Sequence, residues 1–202
     1  MFATPITELA AVNSMLLAIG QSPVNAITPQ LHDQNVALDT LRKVVREVCQ
    51  WGFRFNTDDG YVLNPTIDGL VFIPLGAMDV DPSEPRQDLT PRQHPDHSAQ
   101  ALWDAVNHTF EIGQPVRVKV KWSFDFEALP EAARSYATAA ACRRFQAQVV
   151  GDPAMNRMLE ADEQRAWIAL LRSQTAAADI NAFRASAELA AKTNRRRAWR
   201  SI

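Results

Sequence analysis

The stretch Val44-Val45-Arg46-Glu47-Val48-Cys49-Gln50-Trp51-Gly52-Phe53-Arg54-Phe55-Asn56 contains the change of hydrophobic period on which the fold turns. Upstream of it, from about Asp33 to Trp51, Leu38, Leu41, Val44, Val45, Val48 and Cys49 recur at steps of three and four. Arg42, Lys43, Arg46 and Glu47 occupy the opposite face, which is the pattern of an amphipathic helix. Gly52 supplies the stop. Beyond it, Phe53 and Phe55 alternate with Arg54 and Asn56. Asp58-Asp59-Gly60 reads as a turn, and Tyr61-Val62-Leu63 returns, so a hairpin is expected at the start of a strand block.

Outward toward the N-terminus lies Glu8-Leu9-Ala10-Ala11-Val12-Asn13-Ser14-Met15-Leu16-Leu17-Ala18-Ile19-Gly20, a second helix pattern with Leu9, Val12, Leu16 and Ile19 on one side. Thr4 is the expected cap, Pro5 fits the first turn, and Gly20 provides a left-handed end before Gln21-Ser22-Pro23-Val24. Outward in the other direction, Leu70–Ile73, Met78–Val80, Ala101–Trp103 and Val116–Trp122 are further strand candidates. The last alternates Val116, Val118, Val120 and Trp122 with Arg117, Lys119 and Lys121, giving one buried and one cationic face. Asp81 to His97 holds Pro82, Pro85, Pro91 and Pro95 and almost no large apolar residue, so a surface loop or extended arm is expected there.

Helical spacing resumes at Leu129-Pro130-Glu131. Ala133, Ala137, Ala140, Ala141, Phe145 and Val149 line one side up to Gly151, and Asp152-Pro153 caps and opens another helix at once. The stripe of Met155, Met158, Leu159, Ala166, Trp167, Leu170 and Leu171 then covers about six turns, and the two helices form a hairpin. The expected fold is α+β: an antiparallel helical bundle from residues 1–52 and 128–178, an inserted, mostly antiparallel β domain over 53–127, and a C-terminal arm with a basic tail over 179–202.

The chain has 202 residues, ordinary for a soluble chain of one compact domain or two small ones. Cys49 and Cys142 lie far apart in apolar helical patterns and read as buried free thiols. No run of roughly 18 apolar residues occurs, so neither a membrane anchor nor an export signal is expected. Formal net charge is −2, yet the last eleven residues hold Lys192, Arg195, Arg196, Arg197 and Arg200 and no acid, leaving residues 1–191 at −7. Arg195, Arg196, Arg197, Trp199 and Arg200 therefore form a candidate partner interface, because cationic side chains next to a Trp suit an acidic surface.

Catalytic signals are missing where they would be expected. All seven glycines sit at element boundaries or in turns, so no glycine-rich phosphate cradle and no Gly-x-Ser-x-Gly elbow exists. His94-Pro95-Asp96-His97 places two imidazoles beside a carboxylate, but a zinc site needs further ligands on a rigid support. His32 and His108 read as turn or surface residues. Asp58 with Asp59, Asp79 with Asp81, and Asp125 with Glu127 have turn and strand-end explanations, and Glu160, Asp162 and Glu163 read as a solvated helix face. No catalytic residue, metal ligand or cofactor is assigned, and no enzyme is expected.

Ala11-Val12-Asn13, Ala18-Ile19-Gly20, Ser22-Pro23-Val24, Trp51-Gly52-Phe53 with Phe55-Asn56, the turn before Gly60, Leu129-Pro130-Glu131, Arg143-Arg144-Phe145-Gln146 and Gly151-Asp152-Pro153 occur in this order. Over residues 5–172 this succession resembles the tail tubular protein A family of T7-like short-tailed bacteriophages. The resemblance implies a structural virion protein, a head-to-tail adaptor assembled in the host cytoplasm. Its partners would be further copies of itself in a ring, typically a dodecamer, together with the portal protein, a nozzle of the tail tubular protein B type and tail fibres. Genomic DNA would pass through without sequence-specific binding. Two other readings stand beside it: a DNA-binding protein that uses the basic tail, and a carbohydrate-degrading tail component.

Overall fold

The computed structural model describes residues 4–28, 31–83 and 88–185. The order of elements is α1 (Glu8–Ala18), α2 (His32–Gln50), β1 (Thr57–Leu63), β2 (Ala77–Pro82), β3 (Leu89–Gln93), β4 (Gln100–Asp104), β5 (Val116–Trp122), α3 (Glu131–Val149) and α4 (Pro153–Ala185). This is an α+β chain in which the strands lie between the second and third helices. β5 is the centre of a three-stranded antiparallel sheet of order β1-β5-β2, and β3 pairs with β4 alone.

Helix spacing decides which side chains leave water. The α2 residues Leu38, Leu41, Val44, Val45, Val48 and Cys49 are all buried, as are Ala133, Ala137, Ala140, Ala141 and Phe145 of α3. Alanines along α3 let α1 and α2 pack closely on it, and one hydrophobic cluster joins the three helices with Phe126, Leu129 and Leu170. A separate cluster of Leu63, Val71, Val80, Leu89, Leu102, Val116, Val118 and Val120 holds the strands. Its β5 members are the alternate residues that the period of two selects.

Several expectations are corrected. The hairpin at Gly60 does not form: Arg54–Asn56 is a single 3₁₀ turn, and Thr57–Leu63 is one strand whose partner, β5, lies about sixty residues on. Phe53 and Phe55 alternate because their rings stack, with centroids 5.7 Å apart, against the helical cluster. Gly60, at φ 76°, absorbs a register shift between Asp58 and Tyr61, which makes it a bulge. The proline-rich stretch contains β3, with Pro91 opposite Leu102; β3 pairs on one side only, where a residue without an N–H is tolerated. Leu70–Ile73 contributes isolated bridges to Glu111 and Ala101 rather than a strand. Thr7, not Thr4, caps α1, accepting the Ala10 N–H at 3.2 Å.

A buried polar side chain bonds the helical cluster to the sheet. Asn56, only 1% exposed, donates from Nδ2 to the Cys49 carbonyl near the end of α2 (2.6 Å) and to the Trp122 carbonyl at the end of β5 (2.9 Å). Beside it the backbone must approach a lysine stem. Gly52 has φ +72°, and a Cβ there would lie 2.7 Å from Lys121 Cε. Replacing Asn56 with Ala removes both bonds, leaving the Cys49 carbonyl with only the Gly52 N–H at 3.3 Å, and is expected to lower unfolding free energy by about 1–3 kcal/mol, read from urea midpoints. Asn56→Asp should be worse, since it sets a carboxylate against the same acceptors. A loss below about 0.5 kcal/mol for the alanine variant, the range of an ordinary surface change, would contradict this role.

Candidate functional site

The junction that Asn56 fixes also places Trp51, at the C-terminal end of α2, beside the α3–α4 hairpin. The hairpin turn is built from its own sequence. Gly151 takes φ 69°, Asp152 accepts the N–H groups of Ala154 (2.9 Å) and Met155 (3.4 Å), and buried Gln146 donates to the Asp152 carbonyl at 3.2 Å. α4 is thereby laid antiparallel on α3. Two arginines of α3 lock the neighbouring helices: Arg144 bonds both carboxylate oxygens of Glu47 at 2.7 Å, and Arg143 pairs with Glu163 of α4.

Trp51, Tyr136 and Trp167 meet in this angle, with ring centroids 5.1 to 5.6 Å apart, and Phe53 adds an edge contact to Trp51 at 5.9 Å. They wall an open, mostly apolar groove of about 450 Å³, completed by Arg143, Glu160, Glu163 and Gln164. Trp51 stays 45% exposed. Hydrogen bonds from Arg144 hold the Glu47 carboxyl below its ordinary value against the opposing effect of burial, and both arginines are raised in turn by their partners. Burial, reinforced by Glu163, pushes the Tyr136 phenol up. Burial likewise takes the Cys142 thiol up to about 12 and raises Cys49; both are free and buried, as expected.

The remaining sequence candidates do not converge on one centre. Arg195, Arg196, Arg197, Trp199 and Arg200 lie outside the described residues. Asp58 accepts the Trp122 indole N–H (2.8 Å), Asp79 pairs with Lys121 (2.8 Å), and Glu127 accepts the Glu8 N–H (3.2 Å). Asp79 and Asp81 sit opposite Lys121 and Lys119, so the cationic face expected of β5 is matched by acids on β2. Glu163 is not a solvated face residue: its side chain is 14% exposed in its pair with Arg143. His94, expected on a surface loop, is 8% exposed; its ring lies 4.7 Å from those of His97 and Phe110, and its Nδ1 accepts the Asp96 N–H. Sequence patterns missed the Trp51 groove because its walls come from three helices. They also missed the fully exposed Ile67 and Leu75 of the β1–β2 connection, whose only signal is an apolar residue beside a turn.

Apolar side chains and aromatic walls turned outward give the molecule the character of one that makes contacts with others. The comparisons give that character a family. The sequence model described as Tail tubular protein matches residues 9–180, and the chain belongs to this family of structural proteins of the phage tail. It is also 29% identical over 124 residues to Tail tubular protein A of Klebsiella phage KP34, a match that covers 61% of this chain and 63% of that relative's length.

Two outcomes check the electrostatics and burial. Because the folded Glu47 carboxyl lies below its ordinary value of 4.5, its stabilisation is complete above that pH and is lost as pH falls through the folded value. The pair is partly exposed and screened, so Glu47→Gln is expected to cost at most about 1 kcal/mol at neutral pH and to flatten the acid limb of a stability–pH curve. Both cysteines should resist a thiol reagent in native buffer and react only at the rate of unfolding. Rapid labelling of either in the folded chain would contradict its burial.

Proposed function

We propose that this tail protein is the head-to-tail adaptor of a short-tailed phage: a ring of identical copies, twelve in the reading favoured here, that binds the portal above and a nozzle below. It continues the DNA channel, helps to attach tail fibres, is assembled in the host cytoplasm and catalyses nothing. The observation that carries this reading is α4. It is a helix of about 50 Å in which Leu170 is buried, while Met158, Ile168 and Leu171 point outward and its packing is on α3. A closed ring needs two different surfaces on each copy, and a long helix together with a separate strand region supplies them. We take residues 1–52 and 128–178 as the ring and portal side and residues 53–127 as the outer or lower side.

Charge supports passage of DNA rather than its retention. Residues 1–191 carry a net charge of −7, so the body of the chain repels phosphate instead of gripping it. The cationic residues Arg195, Arg196, Arg197 and Arg200, with Trp199, are then reserved for protein contacts with the portal or a neighbouring copy. The test is native mass measurement and negative-stain microscopy of the full chain, alone and with its portal protein. Ring-shaped particles, formed alone or only on the portal, are expected. A chain that stays monomeric with the portal present, or binds duplex DNA tightly with a steep salt dependence, would overturn the adaptor reading.

A further inference from the structure

The groove between Trp51, Tyr136 and Trp167 carries recognition chemistry that the fold does not use. Among the described residues the indole N–H groups of Trp51 and Trp167, the Tyr136 hydroxyl, the Gln164 amide and the Glu160 carboxylate make no hydrogen bond. Arg143 is already paired with Glu163, so Glu160 is a surplus negative charge at the rim of an aromatic wall. We infer that this groove receives the arginine-rich segment 192–202 of a neighbouring copy of the chain, stacking a guanidinium on the exposed Trp51–Trp167 surface and bonding it to Glu160. A planar cation suits aromatic faces with a carboxylate beside them, because its face stacks while its edge donates N–H bonds.

The occupant follows from charge. Lys192 to Arg200 is a block of five bases without an acid, in a chain whose first 191 residues are net negative. In a ring each copy stands beside the next and the segment crosses to the neighbour's groove; its return to its own groove, which the length of chain after Ala185 permits, is the outcome that the isotope labels test for. The inference rests on the ring reading only in requiring that copies meet.

The test uses the full chain with a photoreactive benzoylphenylalanine in place of Asn194, mixed as equal isotopically light and heavy populations, assembled with the portal and irradiated. Light-to-heavy links into residues 158–172 are expected. Their yield should fall roughly fivefold in Glu160→Gln and in about 1 M salt, where the Debye length is about 3 Å. Trp167→Phe, which keeps a ring in the cluster, should give an intermediate yield. Links confined to one isotope, links spread over the strand region, or a yield indifferent to Glu160→Gln would overturn the inference. Native mass of the same samples separates the two readings: rings without these links sink the groove contact alone, and the absence of any ring sinks the adaptor.

Discussion

The carboxamide of Asn56 is the constraint on which the arrangement of this molecule depends. Helices and strands have separate hydrophobic clusters that touch at few places, Met78 of β2 among them, so burial of apolar surface sets one against the other only weakly. Asn56 spends both N–H donors on carbonyls from the two sides, at the last turn of α2 and the last residue of β5. Its Oδ1 has no partner among the described residues, an unfavourable arrangement that persists because the two donors are fully engaged. Lys121 lying over Gly52 and Trp122 bonded to Asp58 stiffen the same seam.

The same device recurs along the chain. Asn13 of α1 clasps both the N–H and the carbonyl of Val24 (2.7 and 2.9 Å), folding the segment after Gly20 back onto its own helix. Gln34 of α2 accepts the Thr28 N–H at 2.7 Å, and Gln146 of α3 holds the hairpin turn at Asp152. The motifs that carry the family resemblance are therefore physical units: Asn13 belongs with Val24, Trp51-Gly52-Phe53 with Asn56, and Gln146 with Gly151-Asp152-Pro153. Each couples a buried or half-buried amide to the loop it restrains, which explains why motifs so short are informative when they occur together.

This also explains what could be read from sequence. Burial of one helix face is a local property, so α2, α3, the α3–α4 hairpin and β5 were legible from spacing alone. Pairing is not local. Nothing around Thr57 to Leu63 names β5 as its partner, and the alternation of Phe53 and Phe55 has the same spacing whether the rings face a sheet or stack on helices. Composition misled at β3, because proline is costly within a sheet but tolerated at an edge. The aromatic groove was illegible for a further reason: Trp51 and Trp167 are 116 positions apart and look like ordinary members of two apolar stripes.

The outward residues of α4 have a physical interpretation that does not depend on any single contact. A subunit destined for assembly must remain soluble before it meets its partners and bind when it does, so its contact surface cannot be a broad apolar face. On α4 the exposed Met158 and Ile168 are separated by charged and polar positions, Glu160, Asp162 and Arg165, the last two paired with each other. Trp51 is similarly half sheltered by Tyr136 and Trp167. Each patch is too small to aggregate and, as rigid aromatic or apolar anchors among polar neighbours, good enough to contribute once many are engaged at the same time. Affinity then comes from several such contacts engaged together rather than from one strong site.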